Sequence, residues 1–407
     1  MFKKLIKNLF EITVTFIFFP FILISAIRFT SKTKSNPDVV WGPNAINPIK
    51  NNSLALRKAG RISDSYVDII YSINNRDEFN YYYFDKTKKP FFYFQILMRY
   101  LSFIDVLRRY DIFITNYNGG FLRDTKLRFF EHIFWKIGKK KVVVWPYGSD
   151  STIYSDMIDH SFRYGYFKSY PEIAKRENSI KKQICYFTKH ADFLIGNIPH
   201  HESCPKWDML TIACYGLDTE EWKPDSNYTY AKDGQNEAVV IIHSPNHRYV
   251  KGTEFLIETC EQIKKDGYKI DLKIIEGMKH NRLKKLMKHC DILAAQFLYG
   301  YALTEIEGMS LAKPVLSNLE NDHYYTAARR YTYFKECPIV STTPENIKEN
   351  LIRLIQNPGL RKTIGKKGRE FVIKYHSLEG QGLMWSKIIA NVWNNKDEDL
   401  CDWWKDR

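Results

Sequence analysis

What the sequence lacks narrows it before any motif is read. Its seven cysteines, Cys185, Cys204, Cys214, Cys260, Cys290, Cys337 and Cys401, are odd in number and scattered. No C-x-x-C pair or zinc-like spacing joins them, so a disulfide framework and a structural zinc module are both disfavoured, and a reducing compartment is the simplest reading. The neighbouring His200 and His201 point apart on either regular structure, which makes them poor joint ligands. No D-x-D flanked by apolar strand residues is present, which argues against a divalent ion bridging a diphosphate. No solenoid-length repeat and no low-complexity tract appears. Acidic residues are in deficit, 46 against 61 lysines and arginines, for a net charge of +15. That balance implies an anionic partner: nucleic acid, lipid headgroups or phosphorylated ligands. No nucleic-acid module or recognition-helix signature accompanies it, so nucleic acid is not the expected partner.

Long hydrophobic runs are scarce as well. With 44% apolar residues and a mean hydropathy of −0.40, the chain reads as globular and water-soluble over most of its length. The exception is Ile12 to Ile27, about sixteen residues without a charge, interrupted by Pro20 and flanked by Lys3, Lys4 and Lys7 before it and Arg28, Lys32 and Lys34 after it. This is short for a bilayer span and lacks a clear signal-peptidase site. Basic flanks and phenylalanines at 16, 18, 19 and 21 suit a helix that dips into or barely crosses a membrane on its cytoplasmic side, with a helix docked on the first domain as the alternative. A second basic and aromatic stretch, Lys86 to Tyr110, with Lys88, Lys89, Arg99, Arg108 and Arg109 among Phe91, Phe92, Tyr93 and Phe94, reads either as a lipid-facing helix or as a core helix with a basic edge.

A chain of 407 residues suits two domains rather than one core. From Asp38, β-branched runs alternate with helical stretches (DVVWGP, YVDIIYS, DIFITNY, VVVWPY, DFLIGN), the pattern of a parallel sheet with crossover helices. A turn-rich stretch with Pro224, Asp225 and Gly234 separates a second series: AVVIIHS, IDLKIIEG, DILAAQF and PVLSN, with helices between. The expected organisation is α/β. Residues 1–34 form the membrane-attachment segment, 35–222 a Rossmann-like acceptor domain, 223–237 a linker, 238–380 a Rossmann-like donor domain, and 381–407 a tail helix that packs back on the first domain. Ligands in such sheets sit beyond the carboxyl ends of the strands, so two such domains facing each other would form one cleft.

The segment HSPNHRYVKGTEFLIETC, residues 243 to 260, leaves a strand, carries Ser244, Asn246, His247, Arg248 and Lys251, and enters a helix at Gly252 and Thr253. A diphosphate leaving group needs cations and backbone donors in such a loop. At about 4 Å and an effective dielectric near 20 a cation contributes roughly 4 kcal/mol, against about 0.3–1 for an exposed helix terminus, so the side chains should dominate. Residues 291 to 318, DILAAQFLYGYALTEIEGMSLAKPVLSN, place Tyr299, Gly300, Tyr301 and Ala302 after a strand and Glu305 and Glu307 on the next helix. A carboxylate on ribose hydroxyls beside a glycine-opened loop is one way to hold a nucleotide. Gly277, which ends IDLKIIEG, joins the donor-binding candidates with Ser244, Asn246, Gly252 and the residues of the Gly300 loop. In the first domain, Tyr147, Gly148 and Asp150 follow VVVWP, and Asn118, Gly119 and Gly120 follow DIFITNY. Each set reads either as a cleft-facing loop or as a turn, with Asp150 as a cap.

HSPNHRYVKGTEFLI, EIEGMSLAKPV and NPGLRKTIGKKGREFVIKYHS together resemble the retaining, metal-independent GT-B glycosyltransferases (glycosyl transferases group 1) that build bacterial surface polysaccharides and glycolipids. The resemblance runs from Asp38 to about Trp385 and is strongest in the second domain. It implies transfer of a sugar from a nucleotide diphosphate sugar, such as a UDP-sugar, to a lipid-linked or glycan acceptor at an anionic membrane surface, without metal or cofactor. It also implies that Arg248 and Lys251 bind the diphosphate and Glu307 the ribose. The sequence departs from the family pattern in three places. Arg248 substitutes for an arginine that usually lies nearer Asn246, Tyr299 stands where a glutamate contacts the donor sugar, and Ala312 replaces a glycine before Lys313. Two rivals remain at this level: a sugar-nucleotide epimerase of the same fold and a nucleotide-binding scaffold without turnover.

Overall fold

The computed structural model describes residues 2–70, 78–85, 92–198, 200–396, 398, 400 and 404. By internal contacts the chain forms two compact units. The first comprises Met1–Thr152, Glu177–Leu210 and Gln381–Cys401; the second comprises Ile153–Arg176, Thr211–Gly380 and Asp402–Arg407.

The first unit is built on seven strands: β1 (Val39–Trp41), β2 (Ser63–Ile70), β3 (Tyr81–Asp85), β4 (Ile112–Thr115), β5 (Lys141–Val144), β6 (Phe193–Asn197) and β7 (Met209–Thr211). They lie in the order β3-β2-β1-β4-β5-β6-β7, and β1 pairs in parallel with β2 on one side and β4 on the other. β4 and β6 are buried along their whole length, which is why both read as continuous apolar runs rather than alternating ones. Strand order reverses between β1 and β4, so the loops after Trp41 and Thr115 flank the switch point where such sheets take ligands. The C-terminal helix Leu378–Trp393 reaches this unit through Trp385, whose ring meets Trp41 edge-on at 4.6 Å.

The second unit carries β8 (Val239–His243), β9 (Ile270–Ile274), β10 (Ile292–Gln296), β11 (Val315–Ser317) and β12 (Val340–Ser341), ordered β12-β11-β10-β8-β9. Its strands pair in parallel, and its switch point falls between β8 and β10. Val239, Ile241, Leu256, Ile292, Phe297 and Leu354 lie in its core, between the sheet and the helices Thr253–Lys265 and Ile347–Gln356. The stretch read as a linker has no regular element but is fastened. Tyr228 donates to Asp291, and the Lys313 ammonium sits 3.0 Å over the Tyr228 ring, where burial pushes its pKa down to about 8.

Three short edge strands, β3, β7 and β12, were not legible in the sequence, because two to five residues give periodicity too little length to register. Residues 153–176, assigned from sequence to the first domain, cluster with the second unit. The helix His160–Ser169 packs on the short helix Arg248–Lys251, and the Ser169 hydroxyl accepts from the Val250 amide at 3.0 Å.

The N-terminal helix runs from Phe2 to Arg28, 27 residues with Pro20 inside, and from Leu5 onward is long and apolar enough to cross a bilayer. It docks along its length on the first unit. Lys7 lies over Phe92, Phe10 meets Tyr93, Phe18 stacks on Tyr100, Phe19 meets Phe134, and Ile22 and Ala26 are fully buried. The opposite face leaves Leu5, Leu9, Phe16, Phe21, Ile24 and Ile27 exposed. The helix Phe92–Arg109 beneath it is a core element. Arg99 turns inward to Asp68 at 3.1 Å, and only Arg108 and Arg109 form its basic edge. Lys88, Lys89 and Phe91, the other part of that sequence reading, lie outside the described residues.

Candidate functional site

In the second unit the loops after β8 and β10 meet at the switch point. β8 ends in His243, whose ring is buried between the Ala294 carbonyl and the Thr253 hydroxyl, each at 2.8 Å. Burial lowers its pKa to about 4, so the imidazole is neutral and locks the β8 loop to β10. Ser244 is half-buried, and Asn246 is exposed and bonded to the Tyr170 hydroxyl. The chain then makes one helical turn and passes through Gly252 at φ +70°, where the left-handed conformation suits glycine, into the helix Thr253–Lys265.

This turn separates the two cations assigned to the diphosphate. Lys251 is half-buried, and its ammonium donates to the side-chain oxygen of Gln296 at the end of β10. Burial pulls its pKa down while the Glu305 carboxylate pulls it up. Arg248 instead lies on the surface in a bidentate pair with Glu276, at 2.9 and 3.0 Å, beside Gly277 of the β9 loop. The two do not converge: one is held by a neutral amide, the other is already neutralised by a carboxylate.

The two glutamates are also separated. Glu305, fully buried, accepts from the Ala302 amide at 3.0 Å and from the Ser317 hydroxyl at 2.9 Å, and so caps the helix Leu303–Ser310 from within. Ser317 also lies 3.2 Å from the Gln296 carbonyl, so Lys251, Gln296, Ser317 and Glu305 form one continuous polar chain. Glu307 is 2% exposed and bonds His280 at 2.6 Å, and His280 in turn leans on Trp222. Burial raises the Glu307 pKa against the His280 bond, which favours the ionised form.

The Gly300 loop is tightly determined. A Cβ at Gly300 would come within 1.9 Å of the Ser317 oxygen, so only glycine fits. Its amide, expected from sequence to face a phosphate, is bonded to the Tyr325 hydroxyl at 3.3 Å, and the Ala302 amide is taken by Glu305. These two donors are therefore spent internally. Tyr301 holds φ +139°, a costly backbone for a non-glycine residue, and its hydroxyl bonds His376 at 2.6 Å. Tyr299, standing where the resemblance puts a glutamate, packs its ring on Phe162 at 4.2 Å. Ala312 adopts φ +56°, which explains why glycine is the expected residue there, at a cost of roughly 1–2 kcal/mol for alanine.

In the first unit Asp150 is buried and accepts three amides: Tyr147 at 3.1, Gly148 at 2.9 and Tyr117 at 3.1 Å. Burial still pushes its pKa up to about 7. It acts as a clamp joining the loops after β4 and β5. A Cβ at Gly120 would meet the Glu131 carboxylate at 1.8 Å, and Gly119 and Gly148 hold φ of +113° and +152°. The half-buried Asn118 donates to the Tyr147 hydroxyl at 3.2 Å. Of the residues named from sequence here, these two side chains are the most open to a ligand.

Gln296, Ser317, His280 and Trp222 were missed from sequence. A strand-end Gln and Ser carry no motif, and His280 and Trp222 reach Glu307 only through folding. Among the described residues no group of three or more His, Cys, Asp or Glu side chains is placed to hold a metal ion.

Two parallel sheets of these strand orders place the chain in the GT-B fold class. A glycosyltransferase from Rickettsia africae superposes with a TM-score of 0.55 at 13% identity, over 89% of this chain and 100% of its own. A UDP-N-acetylglucosamine 2-epimerase from Listeria monocytogenes aligns at 0.48 and 11% identity, over 90% and 98%, and carries no functional weight at that level. No family model matches the chain. In sequence, an uncharacterised glycosyltransferase of Methanocaldococcus jannaschii is 26% identical over 123 residues, 30% of this chain and 32% of that protein, so the match spans about a third of its relative.

Proposed function

We propose that the protein is a glycosyltransferase that moves a sugar from a nucleotide diphosphate sugar, a UDP-sugar by family resemblance, to a lipid-linked or surface-glycan acceptor at the cytoplasmic face of a membrane, with retention and without a metal. The fold class and the name of the partial sequence relative support the activity. The observation that carries the reading is Lys251, a half-buried ammonium at the β8/β10 switch point held by the neutral Gln296 rather than by a carboxylate. A cation whose direct partner is a neutral amide attracts a diphosphate more strongly than one already ion-paired.

In this reading Lys251 takes the negative charge that develops on the departing diphosphate. Arg248 joins only by exchanging Glu276 for phosphate. Glu307, oriented by His280, accepts the ribose hydroxyls, and Tyr299 offers a ring face to the donor sugar. Asn118 and Tyr147 serve the acceptor. The outward apolar face of Phe2–Arg28, with lysines at its start, lies on the membrane.

A panel of nucleotide sugars tested for hydrolysis and for thermal stabilisation of the full chain checks this. One donor should stabilise the wild type and be turned over, and Lys251→Ala should lose both. Stabilisation without turnover in the presence of membrane acceptors would favour the scaffold reading, and a free epimerised nucleotide sugar the epimerase.

A further inference from the structure

A second basic feature lies in the first unit, at the opposite end of its sheet from Asp150. β5 starts at Lys141 and its loop reaches Tyr147 six residues later, a separation of roughly 20 Å along an extended strand. Around the start of β5 there is a cavity of about 1030 Å³. It is bounded by residues 31–33, which leave the N-terminal helix, by the helices Glu131–Ile137 and Glu177–His190, and by Trp393 to Asn395 of the C-terminal tail. Six lysines line it, Lys32, Lys136, Lys139, Lys140, Lys141 and Lys189, against the single carboxylate of Asp192. Asp192 is itself bonded to Lys141 at 2.9 Å.

Lys140 distinguishes this cavity from a solvated basic face. It is 6% exposed, lines the cavity, and its side chain makes no hydrogen bond or ion pair among the described residues. The nearby Asp111 makes its direct contacts elsewhere, accepting from Ser31 at 2.7 Å, from the Asp38 amide at 3.0 Å and from Lys34, and acts on Lys140 only at longer range. Burial lowers the Lys140 pKa to about 8, against the attraction of the Asp111 and Asp38 carboxylates and aided by the repulsion of Lys34. Two further nitrogen-bearing rings, His132 and His190, stack at 3.7 Å on the cavity wall. A buried, unpaired ammonium costs free energy unless something anionic arrives to compensate it.

We infer that this cavity binds a phosphorylated anion, with Lys140 at its base and Lys136, Lys139 and Lys189 at its rim. Lysines are point charges suited to phosphate oxygens, and the volume exceeds what a bare phosphate needs. Two sources share this chemistry: the headgroup of an anionic phospholipid, which the adjacent N-terminal helix would bring near, and a soluble organic phosphate. The site is independent of the donor site proposed above.

The test uses the full chain in a Lys251→Ala background, so that the donor site does not contribute, with the double variant Lys139→Gln/Lys189→Gln and, separately, Lys140→Met. The first changes only exposed side chains; the second keeps the apolar stem of a buried one. Inorganic pyrophosphate is titrated calorimetrically, and co-sedimentation is measured with phosphatidylcholine vesicles with and without phosphatidylglycerol. Affinity for at least one probe should fall roughly tenfold in both variants. Loss confined to pyrophosphate identifies a soluble phosphate, whereas loss on phosphatidylglycerol vesicles identifies a headgroup. Unchanged affinity for both probes, or no saturable binding by the parent, overturns the inference.

Discussion

The loops at the carboxyl ends of the two sheets use their charged groups in opposite ways. In the first unit Asp150 spends its carboxylate on three amides of its own loops, and Glu131 fills the space that Gly120 leaves free. In the second, Lys251 stands at the switch point and its direct side-chain partner is the neutral amide of Gln296. A charge consumed by its own backbone fixes a loop, whereas one held by a neutral group is available to a ligand of opposite sign. Burial alone therefore does not mark function; the identity of the partner does.

Four experiments would break or sharpen this contrast. The largest effect is expected from Lys251→Ala, which should lower donor turnover by roughly 10²–10³-fold with little change in thermal stability, read from initial rates and a melting curve. Near-normal turnover would end the distinction. Asp150→Ala should do the reverse. Three buried amides lose their acceptor, and stability measured by urea unfolding should drop by about 2–3 kcal/mol.

Acid should act through the buried histidines. The native pKa values of His243 and His376 are about 4, below the usual 6.5. Between those values the unfolded chain takes up protons that the folded chain refuses. The imidazoles' contribution to stability is therefore full above pH 6.5 and is lost as pH drops toward 4, by up to about 3 kcal/mol each. Asp150, raised to about 7, contributes with the opposite sign over the same range, so the contrast is read between wild type and a histidine variant. Urea midpoints at several pH values check this, and His376→Gln should flatten part of the slope. The smallest effect is expected from Arg248→Ala. Its exposed pair with Glu276 predicts a loss of turnover of roughly fivefold or less, and a loss matching Lys251→Ala would place it on the diphosphate.

Much of the second unit was legible because its strands are continuous β-branched runs, and the segments that follow them carry the proposed Lys251 and Glu307. Glu305 and Glu307 show where legibility stops. Two residues apart on one helix, both are buried, yet one is sealed by Ser317 and Ala302 and the other meets His280. Nothing local predicts that division, since the partners arrive from other elements. The segment 153–176 is a similar case. Its apolar residues are compatible with either unit, and Gly165 closing on Tyr249 and Leu298 decides the matter.

By itself, the sequence determined the alternation of strands and helices, the basic excess, the apolar N-terminal helix and the cations beyond β8, because periodicity and charge are carried by neighbouring residues. Only the tertiary structure decided which of those charges are compensated. It brought Glu276 to Arg248, left Lys251 to Gln296, and buried Lys140 without a direct ion pair among the described residues, because pairing depends on distances across elements that the order of residues along the chain does not fix.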